Sequence, residues 1–128
     1  MRYLCIYKPR KDDELCADPT EAEMIAMGKL IDEMTRAGVL LATEGCAPSA
    51  EGARVKRVGG ETIVTDGPFA EAKELIAGFC LIQVQTKAEA VEWGRRFLEV
   101  VGEGESEIRR LYEPADGGGC RAIPPEAS

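Results

Sequence analysis

Two short segments of this chain are apolar on both parities, and that pattern leaves few architectures open. Arg2 to Tyr7 places Leu4 and Ile6 on one side and Tyr3, Cys5 and Tyr7 on the other, and Phe79 to Gln85 repeats the pattern. A strand apolar on both faces needs cover on both, so these two are expected as the middle pair of a sheet. Val39 to Thr43 reads as a further strand, with Glu44-Gly45 at its end. Ser106 to Leu111 reads as the last, and its Glu107, Arg109 and Arg110 suit an edge. Between Arg54–Val58 and Glu61–Thr65, Gly59-Gly60 has the two-residue spacing of a hairpin with a primed turn.

Two amphipathic helices accompany the strands. The first is expected to start with Asp18 as cap, Pro19 at the first helical position and Glu21 closing a capping box. Met24, Met27, Ile31 and Met34, flanked by Ile25 and Leu30, keep helical spacing, and Gly38 ends the run. Methionines on one stripe read as core rather than as a cofactor box. The second helix follows the capping box Thr86-x-x-Glu89, carries Ala90, Trp93, Phe97, Leu98 and Val101 on one face, and ends at Gly102.

The order is therefore β-α-β, a hairpin, then β-α-β: an α+β domain over residues 1–113. Two helices cover only one side of a four-stranded sheet, so the other side is expected to meet a partner, a homodimer joined through the sheet faces. Tyr3, Cys5 and Tyr7, or else Leu4 and Ile6, should lie in that interface. After Glu113 the composition shifts to Gly117-Gly118-Gly119 and Pro124-Pro125, which predicts a mobile tail over 114–128 containing Cys120.

The densest local signal is Thr65-Asp66-Gly67-Pro68-Phe69-Ala70-Glu71-Ala72-Lys73-Glu74. Gly67 opens backbone angles closed to other residues, and Pro68 fixes its own φ and suits a first helical turn. Asp66 can turn its carboxylate onto the N–H groups that follow. A short helix is expected from Phe69 to about Ile76, released at Gly78. The stretch resembles the signature of the DGPF branch of the YCII-related family. Further matches are the opening Met1-Arg2-Tyr3-Leu4, Ala37-Gly38-Val39-Leu40, Glu44-Gly45, Ala90-Val91-Glu92-Trp93 and Glu107-Ile108-Arg109, so the likeness covers about residues 1–113. It implies a ferredoxin-like fold that pairs sheet to sheet as a dimeric α+β barrel. It implies no settled reaction. Members of the branch are often encoded beside extracytoplasmic-function sigma factors, which implies an accessory or regulatory role.

The chain has no histidine, which removes Ser-His-Asp and Cys-His nucleophilic machinery, His metal sites and any His general base. The His–Asp pair attributed to some YCII-related proteins therefore does not carry over. A balance of 16 basic and 23 acidic residues, −7 overall, argues against nucleic acid as the main partner. No apolar run is long enough for a membrane helix and the N-terminus reads as a strand, so a cytoplasmic protein is expected. The cysteines, Cys5, Cys16, Cys46, Cys80 and Cys120, show no metal-ligand or Cys-x-x-Cys spacing. Cys5 and Cys80, inside strands, are expected to be reduced and structural.

Candidate site residues gather around the signature. Asp66 is either a turn cap or an acid–base group, and the resemblance raises the second reading because related proteins place an acidic residue in this cleft. Gly67, Pro68, Phe69 and Lys73 would line a ligand site with it. Lys8, at the carboxyl end of a central strand, is either solvated or binds an anion. Tyr7 is either core or a pocket hydroxyl, and Glu44 ends a strand nearby. Arg54 is the ligand candidate among the hairpin's Arg54, Lys56 and Arg57, which otherwise read as surface. Glu71 and Glu74 share a helix face but read as solvated, so no metal and no cofactor is expected. Two functions follow: a dimeric module binding a small organic ligand or a regulatory partner, or an isomerase- or lyase-type enzyme using Asp66 with Tyr, Lys or Glu partners.

Overall fold

The computed structural model describes residues 1–9, 19–69 and 75–114. The chain runs β1 (Arg2–Lys8), α1 (Glu21–Arg36), β2 (Leu40–Gly45), β3 (Ala53–Val58), β4 (Glu61–Asp66), β5 (Gly78–Gln83), α2 (Lys87–Val101) and β6 (Glu105–Arg110). A 3-10 turn, Ser49–Glu51, follows β2. Four strands form one sheet in the order β2-β5-β1-β6, and every pairing is antiparallel. The strands apolar on both faces are indeed the inner pair, and charged β6 is an edge. This is the ferredoxin-like α+β arrangement, with the β3–β4 hairpin inserted as a separate two-stranded sheet.

Strand periodicity decides which side chains the helices cover. Tyr3 and Cys5 of β1, Ile82 of β5 and Val84 just after it are buried together with Leu30 and Met34 of α1, Val39, and Ala90 of α2. Trp93, Phe97 and Ile108 pack against this core from α2 and β6. The helices thus take the Tyr3–Cys5–Tyr7 side, and Leu4 and Ile6 fall on the opposite side of the sheet.

Local chemistry explains the element ends, with some corrections. Helix α1 is capped by Thr20, whose Oγ1 accepts from the Glu23 N–H at 3.1 Å. The cap thus falls two residues after Asp18, which lies outside the described residues, and Pro19 stands before the helix rather than inside it. Thr20 and Glu23 repeat the x-x spacing of Asp18 and Glu21 two residues later, and a hydroxyl at that place serves the orphan N–H directly. Met24 and Ile25 are exposed, so only Met27, Leu30, Ile31 and Met34 continue inward. At α2 the expected box forms: Thr86 Oγ1 accepts from the Glu89 N–H at 3.1 Å, and the Glu89 carboxylate accepts from the Gln85 N–H at 2.9 Å. The Gly59-Gly60 turn has positive φ at both glycines, 59° and 82°, as a type I′ hairpin requires. The short helix expected from Phe69 falls largely outside the described residues, and its described ends, Phe69 and Leu75–Ala77, are not helical. The expected tail lies outside the described residues beyond Pro114.

Ion pairs stitch the elements at the surface. Arg96 of α2 makes a two-pronged contact with Glu33 of α1. Lys8 of β1 meets Glu107 of β6 at 2.8 Å, and Arg109 adds a second contact to Glu107 at 3.2 Å.

Candidate functional site

A cavity of about 220 Å³ lies between the helices and the sheet. Its walls are Cys5 and Tyr7 from β1, Met27, Ile31 and Met34 from α1, Thr43–Gly45 from β2, Ala77–Cys80 around the start of β5, Trp93 and Phe97 from α2, and Ser106 from β6. The helical spacing of Met27, Ile31 and Met34 turns one stripe of α1 onto this space. On the α2 side Gly94 is buried, and a Cβ there would stand 3.1 Å from Ile108 Cδ1, so the glycine lets α2 sit close on β6. The glycine-rich edge does the same for the other wall: a Cβ on Gly78 would meet the Glu44 carbonyl oxygen at 2.8 Å.

Tyr7 is held firmly in this wall. Its ring packs edge-to-face on Phe97, centroids 5.3 Å apart, and its hydroxyl donates to the Glu103 carbonyl at 2.9 Å. Gly104, at φ 143°, passes so close that a Cβ would come within 2.7 Å of the Tyr7 ring. Trp93 has the Arg96 guanidinium 4.9 Å from its ring centroid. Cys5 and Cys80 are register partners, and their thiols stand beside each other on this wall. The neighbouring Cys80 thiol, then burial, pushes the Cys5 thiol well above the usual range; the neighbouring Cys5 thiol lowers Cys80, against the opposing effect of its own burial.

The structure divides the sequence-based candidates among separate places. Tyr7 lines the cavity; Glu44 borders it, but as the register partner of Phe79 it sends its side chain to the other side of the sheet. Lys8, one residue beyond Tyr7, leaves β1 on the opposite side and is engaged by Glu107, whose hydrogen bond holds its pKa above the ordinary value. Asp66 ends β4 opposite Ala53, is exposed, and is not among the cavity walls. Lys73 lies outside the described residues.

The signature corner proves to be a clasp onto the 3-10 turn. Gly67 donates its N–H to the Gly52 carbonyl at 3.0 Å, Pro68 follows a cis peptide bond and has no N–H, and Phe69 donates to Ser49 Oγ at 3.1 Å. The N–H groups of Gly67 and Phe69 are thus met without Asp66, while those of residues 70–74, which its carboxylate was also expected to cap, lie outside the described residues. Space is equally tight, since a Cβ on Gly67 would fall 1.6 Å from the Ser49 carbonyl oxygen. Phe69 is held on its other side by the Arg54 guanidinium, 3.8 Å from the ring centroid. Arg54, Gly67, Pro68 and Phe69 therefore come together, but around packing contacts.

Sequence reading missed the thiol pair, Trp93, Phe97 and the α1 stripe as site residues, taking them for core. One signal was present: a glycine inside a helix costs about 1 kcal/mol relative to alanine, so Gly94 marks a place where something other than helix propensity decides. The cavity itself is a missing volume, and no residue type announces that.

Comparison with known proteins places the chain. The uncharacterised protein R00369 of Rhizobium meliloti (strain 1021) is 37% identical over 83 residues, covering 62% of this chain and 67% of that protein. Among solved structures, 5-chloro-2-hydroxyhydroquinone dehydrochlorinase (TftG) from Burkholderia phenoliruptrix AC1100, in complex with 2,5-dihydroxybenzoquinone, superposes with a TM-score of 0.46 at 12% identity. That likeness covers 88% of this chain and 94% of the dehydrochlorinase. The family model of the YCII-related domain matches residues 1–113, and the chain belongs to the YCII-related family.

Proposed function

We propose that this protein binds a small, largely apolar organic molecule, about one substituted ring in size, in the cavity between its helices and its sheet. The observation that carries this reading is the cavity's volume together with its walls: about 220 Å³ bounded by Trp93, Phe97, Met27, Ile31 and Met34. A dry apolar cavity of about 150 Å³ accepts benzene, so this space takes a single ring with a substituent. The aromatic faces and thioethers suit a flat, polarisable ligand. Thr43 and Ser106, on the helix side of the sheet, supply polar atoms for its substituents. The reading is that of a binding or accessory module. An isomerase- or lyase-type reaction on the same ligand would draw on Tyr7, whose phenol oxygen stands on the helix side of these walls.

Fluorescence of Trp93, the only tryptophan, reports on this cavity directly. Titration with a panel of single-ring phenols is expected to give a saturable change with at least one member. Met27→Phe, which narrows the space, should abolish that change while the protein melts near the wild-type temperature. A panel without any saturable change, or binding indifferent to Met27→Phe, rejects the reading. Conversion of a bound phenol to a new product would favour the enzyme over the module.

We further propose that a second copy covers the helix-free side of the sheet, where Leu4, Ile6, Phe79 and Leu81 are presented. Apolar area of this kind stabilises by about 25 cal/mol per Å² when removed from water.

A further inference from the structure

Cys5 and Cys80 stand opposite each other in the β1–β5 pairing, and both side chains leave the sheet on the helix side, where both line the cavity. Met1 and Val84 exchange both backbone hydrogen bonds, at 3.0 and 2.9 Å. The ladder alternates, so Tyr3↔Ile82 and then Cys5↔Cys80 are hydrogen-bonded pairs as well. Such partners have Cα atoms about 5.5 Å apart, inside the roughly 4.4–6.8 Å span of ordinary disulfides. The Cβ atoms of such a pair stand toward about 5.5 Å apart, beyond the roughly 3.5–4.5 Å of an ordinary disulfide, so a bridge here draws β1 and β5 together locally and is strained and readily reduced.

We propose that Cys5 and Cys80 form a redox dithiol, which hydroperoxides entering the cavity oxidise to a disulfide bridging β1 and β5. Cys80 is the attacking sulfur, because it is the less buried of the two and a peroxide in the cavity reaches it first. Its sulfur forms a bond to one peroxide oxygen, the O–O bond breaks, and the departing alkoxide or hydroxide takes up a proton. Cys80 is then a sulfenic acid. The Cys5 sulfur next attacks the Cys80 sulfur; the S–O bond breaks, and the leaving hydroxide takes the Cys5 proton to form water. The two thiols together lose two electrons, and the hydroperoxide is reduced to an alcohol (or water) and water. The bridge removes both S–H groups from the cavity wall. This chemistry stands whether or not an organic ligand occupies the cavity.

Cys46 is the internal comparison, an exposed thiol on the loop after β2. The full-length reduced protein is treated with graded hydrogen peroxide, its remaining thiols are alkylated, and it is digested without reductant for mass spectrometry. A linked Cys5–Cys80 peptide pair should accumulate with the loss of two hydrogens, disappear on reduction with dithiothreitol, and form at doses that leave Cys46 alkylatable. In Cys80→Ser the pair is absent and Cys5 stays a free thiol at the same dose. In Cys5→Ser, Cys80 has no resolving partner and runs on to sulfinic acid. Mapping of the wild type decides the matter even if a variant folds poorly. Recovery of Cys5 and Cys80 as free thiols at doses that oxidise Cys46 would overturn the proposal. So would wild-type Cys80 driven to sulfinic acid without the linked pair, or bridges that join either residue to Cys16, Cys46 or Cys120 instead.

Discussion

Gly67 and Asp66 stand next to each other in the signature, yet the structure asks opposite things of them. Gly67 has no room for a side chain: its hypothetical Cβ lies 1.6 Å from a backbone oxygen that belongs to the 3-10 turn. Gly67→Ala must therefore displace one backbone from the other, and is expected to destabilise by about 1–3 kcal/mol or more, as overpacking does. Ser49→Ala removes the acceptor of the Phe69 N–H, and a lost cap of this kind costs about 0.5–2 kcal/mol. Asp66 is exposed and Phe69 is served by Ser49, so Asp66→Ala should stay within about 0.5 kcal/mol of wild type. Urea melts of the three variants check the order Gly67→Ala, then Ser49→Ala, then Asp66→Ala. An Asp66→Ala loss as large as that of Ser49→Ala would restore Asp66 as a capping residue. Asp66→Asn addresses its charge separately. If the ligand sits in the cavity, phenol binding should be unchanged in that variant, and its loss would move the site to the signature corner.

Between elements, charge joins what the core only partly joins. The Lys8–Glu107 contact crosses from β1 to β6, and the hydrogen bond from Lys8, then that from Arg109, holds the Glu107 carboxyl below the usual carboxylate range. A carboxyl with a lowered folded pKa contributes stability that is present above its unfolded pKa and lost as pH falls through the folded value. For Lys8 the sign reverses. Its pKa is raised, so its contribution is present below the ordinary lysine value and lost as pH rises through the folded one. The pair thus supports the sheet across the neutral range and fades at both ends. Glu107→Gln should lower the melting temperature near neutral pH, with the difference from wild type closing in acid and in strong alkali. The Arg96–Glu33 contact between α1 and α2 follows the acid limb alone, because the hydrogen bond from Arg96 lowers the Glu33 carboxyl. The Arg96–Glu33 pair is exposed and the Lys8–Glu107 pair half-buried, so added salt should shrink the first difference more than the second. A Glu107→Gln difference that persists undiminished in acid would show that the side chain acts through packing instead.

At the scale of the whole molecule, the helices occupy one side of the four-stranded sheet and leave Leu4, Ile6, Phe79 and Leu81 on the other. Sedimentation velocity at micromolar concentration is expected to give a dimer. Ile6→Asp together with Leu81→Lys should yield a folded monomer whose helix-side cavity still accepts its probe. A wild type that sediments as a monomer would refute sheet-to-sheet pairing. Much of this architecture was legible in the chain itself. Period-two apolar runs named the inner strands, charges on Ser106–Leu111 named an edge, Gly59-Gly60 named the hairpin turn, and Thr86 with Glu89 named a cap. Each is a local rule, in which a residue and its near neighbours have one favourable conformation. Which side of β1 the helices would take was not local, because Tyr3, Cys5 and Tyr7 are about as apolar as Leu4 and Ile6. Only the packing of α1 and α2 broke that tie. The same holds for the cavity, which is defined by what six separate parts of the chain fail to fill, and for Cys5 and Cys80, lying 75 positions apart. Their meeting depends on the register between β1 and β5, and register is set by pairing of distant strands, a long-range property that neither cysteine's own surroundings in the sequence can express.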